Sequence, residues 1–131
     1  MNRLNEITAT EVVKKIKTEQ VTAEAVMRDC LDRIAEREAT IKAWAYLNRE
    51  QALKAAVEID RGEKSTPLAG LPVGIKDVLD TSDMPTEMGS PIYNEWQPKV
   101  DAACVGVMRA AGAIIMGKTV TCEFAGSFPR P

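Results

Sequence analysis

The chain has 131 residues and a net charge of −2, and 45% of its residues are hydrophobic and 27% charged. This composition is ordinary for a globular protein, and the charge gives no electrostatic basis for binding nucleic acid or an anionic membrane. Its apolar stretches are far shorter than the about 20 residues that cross a bilayer, and no signal-peptide core follows Met1, so we expect a cytoplasmic protein.

The chain contains no histidine, and its cysteines are widely spaced, at Cys30, Cys104 and Cys122. Without histidine, Ser-His-Asp and Cys-His activation of a nucleophile and the commonest metal ligand are excluded. The cysteine spacing suggests neither a disulfide framework nor a zinc site. We therefore expect no metal and no cofactor, and a general base must be Lys, Asp, Glu or Tyr.

Two helices are predicted at the start of the chain. Thr8 and Glu11 fit a capping box for a helix that ends near Thr18. Thr22 is a candidate N-cap for the second helix. The apolar stripe of that helix consists of Val26, Met27, Cys30, Leu31 and Ile34.

A short strand and a third helix follow. Apolar residues alternate between Ile41 and Leu47, which indicates an extended segment in which Trp44 serves packing. Asn48, with Gln51 three residues later, is predicted to cap the third helix, and Gly62 suits its end.

The second half of the chain predicts a strand, a helix and a strand. Residues 73–78 and 113–116 read as interior strands, and Asp101 is a candidate N-cap for the helix between them, with Gly112 at its end. The aperiodic segment 81–99 is expected to be an ordered loop. This order predicts a right-handed βαβ unit with at least two parallel strands. Two strands make a poor sheet, so we expect the chain to be incomplete.

Lys76 is the candidate for chemistry, because it ends the apolar run Gly70-Leu71-Pro72-Val73-Gly74-Ile75. A lysine that emerges from a buried strand loses hydration, which lowers its pKa and allows it to act as a base. The alternative is a surface lysine or an ion pair with Asp77. Gly70 and Gly74 are expected to allow a close approach of backbone around Lys76.

Other motifs are weaker. Residues 112–119 match the phosphate-loop pattern G-x-x-x-x-G-K-[ST], but here the residues between the glycines are the predicted strand. We interpret Lys118 and Thr119 as the exit of that strand into a polar loop. No serine lies in a nucleophile elbow, and Ser90 reads as a turn residue, with a Ser90–Lys76 pair as an alternative.

Three segments together resemble the amidase signature family: LAGLPVGIKD at residues 68–77, AAGAIIMGKT at 110–119 and EFA at 123–125. Their order and spacing match, and the similarity covers nearly the whole chain. The resemblance implies an α/β fold with a helical N-terminal region, residues 1–66. Residues 67–131 would form the first βαβ part of a mixed-sheet α/β/α domain that is incomplete in this chain.

Members of this family hydrolyse carboxamides or transfer their nitrogen, using a serine nucleophile, a second serine on a cis peptide bond and a lysine. By motif position Lys76 corresponds to that catalytic lysine, which in its neutral form draws a proton from the nucleophile through the bridging serine. The serines are expected downstream of residues 123–125. We therefore expect the 131-residue chain alone to be inactive.

The resemblance implies an amidohydrolase that cleaves the C–N bond of a small carboxamide or a related urea-like substrate. From the charge and the short apolar stretches we expect no nucleic-acid or membrane partner, and a homo-oligomer is left open. The first alternative is the transamidase subunit that charges tRNA with amide nitrogen, although the segment 121–124 resembles that branch less well. The second alternative is a non-catalytic binding or interaction module.

Overall fold

The computed structural model of the chain describes residues 3–62 and 65–126. Its helices and strands follow the predicted order. The second helix extends further than the apolar stripe in its sequence indicated. They are α1 (Ala9–Lys17), α2 (Ala23–Ile41), β1 (Trp44–Leu47), α3 (Arg49–Arg61), β2 (Pro72–Lys76), α4 (Ala103–Ala110) and β3 (Ile114–Thr119). Short 3-10 turns lie at Leu4–Glu6, Pro91–Tyr93 and Glu123–Ala125. None of the helices within residues 3–62 and 65–126 combines the length and the hydrophobicity of a membrane span.

The predicted caps of the first three helices are confirmed, because each side-chain oxygen accepts a backbone N–H near the helix start. The bonds run from Glu11 to Thr8 at 3.2 Å, from Ala25 to Thr22 at 3.0 Å and from Gln51 to Asn48 at 3.0 Å. Each bond satisfies one of the amide groups that has no partner inside its helix.

The prediction for α4 is wrong at its start. The N-cap is Ala102, without a side-chain hydrogen bond, rather than Asp101. The Asp101 carboxylate instead accepts the backbone N–H of Ser82 at 2.7 Å and its hydroxyl at 3.0 Å, and it lies 3.0 Å from Nε of Arg109. The two donors of Ser82 and the ion pair with Arg109 hold the carboxylate away from the helix start.

The strands of the described residues form a mixed sheet in the order β1-β3-β2. β3 is central, pairing antiparallel with β1 and parallel with β2. This arrangement confirms the predicted α/β class with a mixed sheet. The proposed division at residue 66 stays a prediction, and the sheet contains strands from both sides of it.

A bulge in β3 changes which residues face each side of the sheet. Val73 of β2 lies opposite Ile115, whereas the next residue of β2 lies opposite Gly117, so Met116 is the extra residue. A one-residue shift moves the following side chains to the opposite face. Lys118 therefore lies on the same face as Ile115.

The hydrophobic core has two parts, one on each side of the sheet. The larger part joins α1, α2 and α3 to the sheet; its buried residues are Val12, Ile16, Ala23, Val26, Met27, Leu31, Ala52, Ala56, Ala69, Ile114 and Met116. The smaller part, next to α4, contains Ile75, Met84, Val105 and Ile115. Burial on both faces fixes the position of β3.

The indole of Trp44 packs against the glycines of the sheet, as expected for a packing residue. An added Cβ at Gly74 would lie 2.9 Å from the Trp44 ring, and one at Gly70 would lie 2.8 Å from Cβ of Ala23 and 2.9 Å from Cγ2 of Ile59. The expected approach of backbone at Gly70 and Gly74 is therefore wrong. Side chains of neighbouring elements occupy that space.

We expect Gly117→Ala to destabilise the intact protein by about 1–3 kcal/mol, because the new methyl group would collide with the backbone carbonyl of Tyr46 and with the Trp44 ring. The matched control is Gly106→Ala in α4, where nothing lies within 4 Å of the added Cβ. Removing a helical glycine stabilises by about 0.5–1 kcal/mol. Urea unfolding measures both changes, and equal effects of the two substitutions would contradict this packing.

Candidate functional site

Lys76 ends β2, opposite Thr119 of β3, and its side chain is exposed among the described residues. The neighbouring residue Asp77 is buried, at 2% exposure. Successive side chains of a strand point to opposite faces, so Lys76 and Asp77 project to opposite sides of the sheet. Asp77 pairs with Lys118 rather than with Lys76.

Among the described residues, Lys118 is the buried lysine, with 0% of its surface exposed. Its Nζ donates to Oγ1 of Thr86 at 2.6 Å and to the carbonyl oxygen of Pro85 at 3.1 Å, and it lies 3.4 Å from Oδ1 of Asp77. An ammonium group has three N–H donors, and the three neighbouring oxygen atoms match them in number. The interpretation of Lys118 as the exit of the strand is wrong, because Lys118 lies inside β3. The feature of the sequence that could have indicated a buried lysine is its position directly after Gly117, at the end of the apolar run.

Desolvation acts on both members of the buried pair. Burial lowers the pKa of Lys118, against the opposing effect of the Asp77 carboxylate. Burial likewise raises the pKa of Asp77, against the opposing effects of the Glu87 N–H and Lys118. Burial therefore favours the neutral form of each group, and the neighbouring group of opposite charge favours its charged form.

Residues 78–90 follow β2 and fold back onto Asp77; we call them the returning segment. The N–H of Glu87 donates to Oδ1 of Asp77 at 3.2 Å, and the N–H of Met88 donates to its carbonyl oxygen at 2.9 Å. The N–H of Asp77 donates to the carbonyl oxygen of Thr119 at 2.9 Å, which continues the pairing of β2 with β3. Side chain and backbone of Asp77 are thereby both held.

Ser90 joins this returning segment to the 3-10 turn Glu123–Ala125. Its hydroxyl donates to Oε1 of Glu123 at 2.7 Å and accepts the N–H of Ile92 at 3.4 Å, so the predicted role as a turn residue is confirmed. The N–H of Phe124 donates to the carbonyl oxygen of Met88 at 2.8 Å. The serine hydroxyl thus serves a structural bond rather than a Ser90–Lys76 pair.

Residues 112–119 do not form a phosphate-binding loop. Ile114–Thr119 is the central strand β3, whose backbone pairs with strands on both sides. The Lys118 side chain is buried rather than open to a ligand. Gly112 adopts a φ of 91° after α4, as expected for the residue that ends a helix.

The fold and the site define an α/β protein in which an exposed lysine ends one strand and a buried lysine–aspartate pair lies on the other side of the sheet. The family model for amidases matches residues 25–128. The chain therefore belongs to the amidase signature family, as its three segments indicate.

Similar proteins include amidotransferase subunits from two bacteria and one amidase. A glutamyl-tRNA(Gln) amidotransferase subunit of Acidothermus cellulolyticus is 43% identical over 95% of this chain and 26% of its own length. The subunit of the same name from Rhodopirellula baltica is 42% identical over 89% of this chain and 24% of its own length. The structure of the peptide amidase from Stenotrophomonas maltophilia superimposes with a TM-score of 0.83 at 31% identity, over 91% of this chain and 26% of that one. The chain thus spans about a quarter of the length of these relatives.

We expect Lys118→Met to destabilise the intact protein by about 3–5 kcal/mol at pH 7, because it leaves the Asp77 carboxylate buried without its cation. Adding Asp77→Asn removes that charge while keeping an oxygen that accepts the Glu87 N–H. Replacing both charges of a buried pair is often neutral or stabilising, so the double variant should recover most of the loss. Urea unfolding of the single and double variants measures the coupling, and additive effects would contradict a buried ion pair.

Proposed function

We propose that Lys76 is the general base of an enzyme that breaks a carboxamide C–N bond. The observation that carries the proposal is the position of Lys76 in the segment LPVGIKD of an amidase-family domain, at the end of a strand with its side chain exposed. In its neutral form the amine would accept a proton from the serine nucleophile through the bridging serine. It would then return the proton to the leaving nitrogen.

The surroundings of Lys76 support this role. Its backbone lies in the sheet beside β3, and the next residue is held by the buried Lys118. Its own side chain is exposed and so is available to groups outside the described residues. A general base needs this combination of a fixed origin and an accessible proton acceptor.

We further infer an amidotransferase rather than a stand-alone amidohydrolase. The relatives at 43% and 42% identity are named as subunits of glutamyl-tRNA(Gln) amidotransferase, whereas the peptide amidase is 31% identical. This comparison favours transfer of amide nitrogen to glutamyl-tRNA in an assembly with other subunits. Since the net charge of these 131 residues is −2, we assign the tRNA contacts to parts of the assembly outside them.

We expect Lys76→Met to lower turnover of the intact enzyme by about 10²–10⁴-fold, the usual contribution of a general base. The matched control is Lys54→Met, which removes an exposed lysine from α3. Initial rates of ammonia release from glutamine, with partner subunits and glutamyl-tRNA present, measure the effect. Turnover by Lys76→Met equal to that of Lys54→Met would remove Lys76 from the mechanism.

A second assay separates the transferase from the hydrolase. The intact protein should release little ammonia from simple carboxamides alone, and it should form the amidated aminoacyl-tRNA when partner subunits and glutamyl-tRNA are added. Full hydrolysis of small amides by the isolated protein would support the amidohydrolase instead. A folded intact protein without either activity would support the interaction module.

A further inference from the structure

We propose that Lys118 is a positioning residue for Lys76: its buried ammonium group fixes the end of β2 and the segment that returns over it. This inference rests on the proposed function of Lys76. Lys118 does not reach the reacting atoms in this proposal. It acts through Asp77, the residue bonded to Lys76 in the chain.

Asp77 connects Lys118 to Lys76. Nζ of Lys118 and the N–H of Glu87 both approach Oδ1 of Asp77, at 3.4 and 3.2 Å. With its backbone also bonded to Thr119 and Met88, Asp77 cannot rotate without breaking several contacts. The peptide unit from which Lys76 projects is held with it.

The same ammonium group also holds the returning segment. Nζ of Lys118 bonds Thr86 and Pro85, which lie beyond the turn that follows β2. Beside them, the amide of Gln97 donates to the carbonyl oxygens of Thr81, Ser82 and Met84 at 2.9 to 3.2 Å. A buried charge tolerates few alternative arrangements of its partners, because an unpaired ammonium group is costly. Lys118 therefore selects one conformation of this segment.

The orientation of Lys76 affects the rate of the reaction. A misplacement of about 1 Å at a reacting group can cost about 10²-fold in rate. Loosening the attachment of Lys118 should therefore lower kcat more than it changes KM, because the orientation of the base matters in the transition state. A purely structural role would lower stability and leave the rate per folded molecule unchanged.

The test uses Thr86→Val, which removes the 2.6 Å hydrogen bond that Nζ donates to Thr86 and the 3.4 Å bond that the Thr86 hydroxyl donates to the carbonyl oxygen of Leu79, while leaving Pro85 and Asp77 in place. The matched control is Thr81→Val in the same segment. Thr81 and Thr86 are both 0% exposed, and the Thr81 hydroxyl donates to the carbonyl oxygen of Met84 at 3.0 Å. Thr86→Ser keeps a hydroxyl for Lys118 and serves as the rescue variant.

In the intact enzyme, with rates normalised to folded protein by circular dichroism, we expect Thr86→Val to lower kcat by about 10- to 100-fold. KM should stay within about threefold. Thr81→Val should lose similar stability but keep its kcat, and Thr86→Ser should recover most of the rate. Equal kcat for Thr86→Val and Thr81→Val, or no recovery with Thr86→Ser, would overturn the proposal.

Lys76→Met in the same assay separates the two proposals. An inactive Lys76→Met together with a normal Thr86→Val would overturn the role of Lys118 and leave that of Lys76 standing. An active Lys76→Met would overturn the proposed function, and with it the positioning role.

Discussion

The desolvation of one ammonium group constrains the whole end of the sheet. Lys118 is fully buried, so it needs an oxygen in each donor direction, and these come from residues 77, 85 and 86. None of them is close to Lys118 in sequence. The chain must therefore bring the end of β2 and the returning segment to the same point, and the bulge at Met116 is what turns Lys118 to that face of the sheet.

What the sequence predicted depends on the range of the interaction. The caps at Thr8, Thr22 and Asn48 were predictable because donor and acceptor are three residues apart. The cap at Asp101 was not, because its carboxylate is occupied by donors of Ser82, 19 residues away. Local patterns identify a group that can bond, whereas distant groups decide which bond forms.

In the candidate site, too, local patterns in the sequence predicted one part and contacts between distant residues decided the other. Motif position indicated Lys76 as the base, and that role stays a prediction. Lys76 is exposed in the described part of the chain, and the alternative of an ion pair between Lys76 and Asp77 is wrong, because the lysine paired with Asp77 is Lys118, whose hydrogen-bond partner Thr86 lies 32 residues away. Alternation along β2 predicts that Lys76 and Asp77 point to opposite faces. It does not show which face of the sheet is buried, because the segments that pack over that face have no sequence periodicity.

The geometry also explains why the three family segments are informative only in combination. Residues 68–77 and 110–119 supply β2 and β3, which pair side by side, and residues 123–125 form the turn bonded to Ser90 and Met88. Gly117, in the second segment, leaves room for the Trp44 ring. Lys118, in the same segment, reaches Asp77, the last residue of the first segment. The two segments are thus complementary surfaces of one unit, because Nζ of Lys118 and Oδ1 of Asp77 lie 3.4 Å apart in a buried contact between them.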